Sequence, residues 1–93
     1  MVVGVLKVDM RLPGITSLKG KRHILRSLKD TVKNKFNVSV SETAYQHQWQ
    51  RSEFGFAGVS GDRLFVEKEF ARILQLIENR CEIEVISHEV EYY

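Results

Sequence analysis

The sequence has little of what marks exported, membrane-spanning or low-complexity chains. It contains one cysteine and one proline in 93 residues, and its apolar runs are only a few residues long. A lone cysteine cannot form an internal disulfide, which is typical of proteins from a reducing compartment. The short apolar runs and the lack of a basic, cleavable opening segment give no sign of a membrane span or a signal peptide. We therefore expect a cytoplasmic protein that does not associate with membranes.

Length and composition indicate a single domain. The chain is 43% hydrophobic and 28% charged, which is the profile of an ordinary globular protein. Compact domains usually contain about 50 to 200 residues, so a second core would not fit. We expect residues 1–93 to form one domain, which excludes the hinged two-domain architecture of many enzymes.

Charge is distributed unevenly along the chain. Residues 1–50 carry a balance of +6 and residues 51–93 a balance of −4, within a net charge of +2. Between Ser17 and Phe36, seven lysines and arginines are opposed only by Asp30. Such asymmetry favours a polyanionic partner on that side, or a contact of opposite charges between two copies of the protein.

Apolar periodicity predicts the first half of the fold. Every even position from residue 2 to residue 12 is apolar, which predicts a strand. Ser17 offers a hydroxyl N-cap for a helix that runs to about Lys35, with its leucines and valine in one stripe. A second strand is expected to begin at Asn37.

The second half of the chain also reads as a strand, a helix and a strand. A third strand is predicted from Arg51 to Ser60, and Asp62 caps a second helix with apolar residues at helical spacing. The last strand is expected from Glu82 to Tyr92, where the Val85-Ile86 pair breaks the alternation and predicts a bulge.

The order β-α-β-β-α-β predicts an α+β, ferredoxin-like sandwich. Right-handed crossovers give a four-stranded antiparallel sheet with both helices on one face. The other face stays uncovered and must show either Phe54 and Phe56 or Ala57 and Val59. Because exposed apolar patches mark association surfaces, we expect a homodimer formed through this face or an edge strand.

The first helix carries the strongest functional signal. Four of its cations recur at intervals of four, three and four residues and form one stripe, which could follow a phosphate backbone. These four are Arg22, Arg26, Lys29 and Lys33. Three cations also crowd its start, where the helix dipole makes them unfavourable by up to about 1 kcal/mol unless an anion binds there. A solvated face that serves solubility is the alternative. The predicted nucleic-acid contacts on this helix are Lys19, Lys21, Arg22, Arg26, Lys29 and Lys33.

A second candidate surface precedes the third strand. In an extended chain, Tyr45, His47, Trp49 and Arg51 would share one side, with glutamines on the other. Aromatic and cationic side chains of this kind stack on nucleic-acid bases. We add Trp49 and Arg51 to the predicted contacts. The alternative is a hairpin whose aromatic side chains pack on their own sheet or in a dimer interface.

The sequence does not indicate an enzyme. The three histidines and Cys81 lack the spacing of metal ligands, so we expect no metal and no cofactor. Residues 11–16 follow the first strand without the glycine-rich phosphate loop of acylphosphatases, which share this size and fold. No nucleophile and base can be paired from spacing alone. A role with a small ligand or in hydrolysis is the remaining alternative.

Several separated motifs together resemble the YlxP-like family of small bacterial proteins. They read SLKxKR, FNVSVxE, WQR and VS, at Ser17–Arg22, Phe36–Glu42, Trp49–Arg51 and Val59–Ser60. The resemblance extends over nearly the whole chain. It implies a ferredoxin-like fold and a bacterial cytoplasmic protein, from a family often encoded beside genes for translation initiation and ribosome maturation. It implies no catalytic residues.

The leading hypothesis is a non-enzymatic module that binds RNA or the ribosome through its basic first helix. The alternative is a dimeric protein-interaction domain that does not bind nucleic acid.

Overall fold

The computed structural model describes residues 1–93 and confirms the predicted order of strands and helices. Four antiparallel strands form one sheet in the order β2-β3-β1-β4, and both helices pack on the same face of it. This is the ferredoxin-like α+β fold. The elements are β1 (Val2–Arg11), α1 (Leu18–Lys35), β2 (Ser39–Ala44), β3 (Arg51–Ser60), α2 (Arg63–Glu78) and β4 (Glu84–Tyr92).

The alternation in β1 and β3 determines which sheet face the helices cover. Leu6 and Val8 of β1 are fully buried under the helices, and Phe54 and Phe56 of β3 lie on the same side. The uncovered face, called the open face below, therefore carries the opposite set of β3 side chains. Val59 belongs to that set, and 62% of its surface is exposed.

Both helices begin where capping side chains are present. The Ser17 hydroxyl accepts a hydrogen bond from the Gly20 N–H at 3.0 Å, and the Asp62 carboxylate accepts one from the Leu64 N–H at 3.0 Å. These bonds satisfy N–H groups that have no partner within the helix. Neither helix has the length and the apolar content needed to cross a lipid bilayer.

Close contact between α2 and β1 depends on Gly4. A Cβ atom at this position would lie 2.6 Å from Val66 Cγ1 and 2.9 Å from the Phe70 ring. Val66 and Phe70 are buried on the inner side of α2. The missing side chain therefore sets how closely the helix approaches the sheet.

The last strand contains the predicted bulge. Ser87 pairs with Asp9 and Val85 pairs with Met10, which leaves Ile86 as an extra residue. Both outer strands begin two residues later than predicted. The ladder between β2 and β3 starts with Ser39, although the apolar alternation begins earlier.

The segment before β3 is not extended, so the condition for an aromatic and cationic surface along it is not met. Tyr45 has a φ of 64°, in the left-handed region that side chains other than glycine seldom adopt. The Gln48 N–H donates a hydrogen bond to the Tyr45 carbonyl at 3.1 Å and closes a turn. Residues 46–50 therefore form a loop, and their side chains do not alternate between two faces.

Candidate nucleic-acid interface

Five of the predicted cations lie on the accessible side of α1. Four are exposed and Lys29 is half-buried. None of the five forms an ion pair within the protein. Their charge is consequently not neutralised by nearby carboxylates. We call this set the cationic face of α1; it consists of Lys19, Arg22, Arg26, Lys29 and Lys33.

The cationic face borders a groove between α1 and the outer half of the sheet. Arg22, Arg26 and Lys29 line this groove, which has a volume of about 220 Å³. The buried Phe54 ring and the Glu42 carboxylate line its other side. The groove thus places three cations beside an apolar surface and one acceptor group.

Lys21 does not belong to this surface, and the structure corrects its prediction as a nucleic-acid contact. Only 1% of Lys21 is exposed. Its Nζ lies 3.0 Å from Glu42 Oε2 and donates a hydrogen bond to the Tyr45 carbonyl at 2.7 Å. Because the ammonium group is enclosed by these partners, it cannot reach a phosphate.

The Lys21 site is a polar network buried at one end of the core. Ser52 Oγ donates a 2.6 Å hydrogen bond to the same Glu42 oxygen that Lys21 contacts. A buried charge is tolerated when it is paired and its hydrogen bonds are made. The network joins α1, β2, β3 and the loop that begins at Tyr45, so it fixes one wall of the groove.

Arg51 lies on the open face rather than beside α1. It donates two hydrogen bonds to Asp9, from Nε at 2.8 Å and from Nη2 at 2.7 Å, and its guanidinium lies 4.7 Å from the centre of the Tyr45 ring. The hydrogen bond from Arg51 holds the pKa of Asp9 below its ordinary value of 3.8. Arg51 is therefore already paired.

Trp49 lies in the loop between β2 and β3, where half of its surface is exposed. It does not line the groove beside α1. The structure thus groups the α1 cations and leaves Trp49 and Arg51 outside that group.

Comparison with known proteins gives the family. A model described as "Protein of unknown function (DUF503)" matches residues 3–90. The chain belongs to the DUF503 family. The uncharacterised protein YlxP of Bacillus subtilis (strain 168) is 40% identical over 92 residues, which cover 99% of this chain and 100% of that relative. The resemblance predicted from the motifs is confirmed.

Solved structures similar to this DUF503 chain show its fold alone. The de novo designed protein Foldit4 matches with a TM-score of 0.57 at 18% identity, covering 98% of this chain and 96% of the design. The putative chlorite dismutase TA0507 matches with a TM-score of 0.50 at 10% identity, covering all of this chain and 44% of that protein. At such low identity, function must be argued from the side chains of the chain itself.

Proposed function

We propose that this DUF503 protein is a non-enzymatic module that binds structured RNA through the cationic face of α1. The observation that carries the proposal is the set of five accessible cations without a carboxylate partner. Phosphate contacts of this kind supply much of the affinity for nucleic acid.

The length of the cationic face suits a phosphate backbone. Arg22 and Lys33 are separated by about 16 Å along the helix axis, at 1.5 Å per residue. A nucleic-acid duplex presents roughly one charge per 1.7 Å of its axis, so several phosphates fall within reach. The helix also has no acidic residue in its first turn, where one would weaken anion binding.

The groove beside α1 favours RNA with unpaired nucleotides over duplex DNA. Unpaired bases in RNA loops can leave the stack and enter a protein pocket. Glu42 Oε1 is not engaged by Lys21 or Ser52, and a carboxylate oxygen accepts hydrogen bonds from base amino groups. The groove therefore offers an acceptor for a base next to cations for its phosphates.

Charge reversal on α1 tests the proposal. The variant Arg22→Glu/Lys29→Glu is expected to lose RNA affinity by more than about tenfold in fluorescence anisotropy with a labelled stem-loop RNA. The matched control is Lys68→Glu/Arg72→Glu, which makes the same charge change on α2. Equal losses in the two variants would mean that binding follows net charge alone, and the proposal would then be wrong.

Salt dependence provides a second measurement. With five phosphate contacts, the logarithm of the binding constant should fall with the logarithm of salt concentration at a slope of roughly −3.5 to −4.5. The α1 variant should have a slope that is shallower by about two, with an unchanged circular dichroism melt. A slope close to zero for the natural chain would contradict binding through phosphates.

The open face supports a second candidate function, which is self-association. Val5, Gly55 and Ala57 line an apolar hollow of about 270 Å³ there, and the exposed Val59 lies on the same face. We propose that two copies pack these faces together. Sedimentation velocity should show a dimer that Val59→Lys converts to a monomer, while Gln75→Lys on α2 has no effect. A monomeric natural chain at all concentrations would exclude this candidate.

A further inference from the structure

The outer edge of β4 is an unpaired strand edge. β4 lies at one edge of the sheet and pairs with no strand other than β1. Just beyond its end, Val3 and Tyr93 exchange two main-chain hydrogen bonds of 3.0 and 2.8 Å. Hydrogen-bonded pairs alternate along an antiparallel ladder, so Glu91 and Glu89 also direct their main-chain groups toward β1.

The residues that alternate with Glu89, Glu91 and Tyr93 along the strand direct their main-chain groups away from β1. The main-chain N–H and C=O groups of His88, Val90 and Tyr92 must point away from β1 and into solvent. The stretch from Ser87 to Tyr92 lies beyond the bulge and has a regular register. The edge strand β2 is shorter, with six residues and a register shift near its end. The β4 edge is therefore the better template for an added strand.

From Glu89 to Tyr92, side chains on β4 alternate between acidic and apolar or aromatic groups. Glu89 and Glu91 are exposed and lie on the open face, opposite Lys7 and Val5. Glu89 forms no ion pair with its cross-strand neighbour Lys7. Val90 lies between the two acids, on the opposite face, and is 38% exposed. Ile86, at the bulge, is 41% exposed. A complementary strand would carry cations opposite the acids and apolar side chains opposite Val90.

A second copy of the chain fits this pattern poorly in the register centred on Val90. Antiparallel pairing of two β4 strands about Val90 would place Glu89 of each copy opposite Glu91 of the other. Like charges directly opposite one another destabilise a strand pair. The acidic residues therefore oppose self-pairing at this edge while attracting a strand of positive charge.

We infer that β4 binds an extended segment of another protein, in which lysine or arginine alternates with apolar residues, as a fifth strand of the sheet. Main-chain hydrogen bonds to His88, Val90 and Tyr92 hold the segment. The carboxylates of Glu89 and Glu91 select its charge. The inference does not depend on RNA binding by α1.

Amide hydrogen exchange tests this inference at the residues concerned. The probes are a short capped peptide that alternates lysine and valine, and a matched peptide that alternates glutamate and valine. The lysine peptide should slow exchange of the His88, Val90 and Tyr92 amides. The Glu89 and Glu91 amides, already bonded to β1, serve as the internal reference. The lysine peptide should also bind at least about tenfold more tightly than the glutamate peptide.

Two variants test the two parts of the inference, charge selection and strand addition. Glu89→Lys/Glu91→Lys should reverse the preference between the peptides. Val90→Pro removes an outward N–H without removing a bond to β1, and should abolish protection at the edge while keeping the thermal melt. If Val90→Pro does not fold, the charge-reversed variant and the natural chain carry the test.

The inference is wrong if the three amides stay unprotected at saturating lysine peptide. It is also wrong if the charge-reversed variant keeps the original preference. Protection of the same amides in the free protein at high concentration would show that a second copy, rather than a basic segment, occupies the edge.

Discussion

At the scale of single residues, Lys21 differs from every other cation of α1. Its ammonium group is shared between the Glu42 carboxylate and the Tyr45 carbonyl, and no buried polar side-chain atom of the protein lacks a partner. Removing one member of such a set leaves an uncompensated charge in a site that water reaches poorly. Lys21 therefore stabilises one wall of the groove and is not accessible to the proposed RNA.

Lys21→Met should lower the free energy of unfolding by about 3 kcal/mol, because Glu42 keeps its charge but loses its cation. Urea denaturation followed by circular dichroism measures the loss. The double variant Lys21→Met/Glu42→Gln should recover part of it, since neither charge is then left alone. A loss below about 1 kcal/mol in the single variant would mean that solvent already screens the pair.

Asp9 gives the stability a defined pH dependence. Because the hydrogen bond from Arg51 lowers the pKa of Asp9 below 3.8, the pair stabilises the fold fully above that pH. The contribution is lost as the pH falls through the lowered pKa. Asp9→Asn should therefore melt at a lower temperature than the natural chain at pH 7, and the gap should close below pH 3.8. Thermal melts across this range measure it, and a gap that is independent of pH would contradict the assignment.

The sequence contains a signal for the buried Lys21–Glu42 pair, although a count of the charges on the helix does not reveal it. Lys21 lies between Leu18 and Leu25 on the apolar stripe of α1, and Glu42 continues the alternation of Val38 and Val40. Two opposite charges at core-facing positions indicate a buried ion pair. Counting Lys21 with its exposed neighbours overlooked this position. Tyr45, which supplies the carbonyl, has a left-handed φ that tyrosine seldom adopts, and the local sequence gives no signal for it.

At the scale of elements, the sequence patterns correctly predicted the features that depend on neighbouring residues, such as helix caps, strand alternation and the bulge. The cap at Ser17, the alternation in β1 and the broken alternation at Val85-Ile86 all appear in the structure. The predicted start of β2 at Asn37 was wrong, because a strand begins where its neighbour β3 offers hydrogen-bond partners, here at Ser39. The sequence left open whether the segment before β3 is extended, and the structure shows a loop, in which the Tyr45 carbonyl accepts a hydrogen bond from Lys21 of α1.

Packing of α2 on β1 gives a prediction at this scale. Gly4→Ala should lower the free energy of unfolding by about 1–3 kcal/mol, because the added methyl group overlaps Val66 and Phe70 and displaces the helix. Gly61→Ala is the matched control, since a Cβ there meets nothing within 4 Å. Denaturant titration of both variants measures the difference. Equal stabilities would show that α2 moves away without cost.

At the scale of the whole molecule, opposite charges lie at opposite sides of one sheet. The cationic groove beside α1 borders β2 at one edge of the sheet, through Glu42. The acidic residues Glu89 and Glu91 lie on β4, at the other edge. Three strand spacings separate β2 from β4, or about 14 Å. The Debye length at physiological ionic strength is about 8 Å, so the two surfaces are largely screened from each other.

The stem-loop RNA and the basic peptide should therefore be able to bind the protein at the same time. A saturating lysine-valine peptide is expected to leave the affinity for stem-loop RNA unchanged within about twofold at physiological salt. Anisotropy titrations of labelled RNA, with and without the peptide, measure this. Competition between the ligands would show that the RNA extends over the sheet edge.

The seclusion of Lys21 also has a use in protein chemistry. Amine-acylating reagents modify lysines that water reaches, so Lys19 and Lys33 should react at once in the native protein, whereas Lys21 should react only when the molecule opens. Mass spectrometry of a single labelled sample would then report two properties. Slow acylation at Lys21 follows the opening of the core, and shielding of Lys19 and Lys33 marks where a ligand lies.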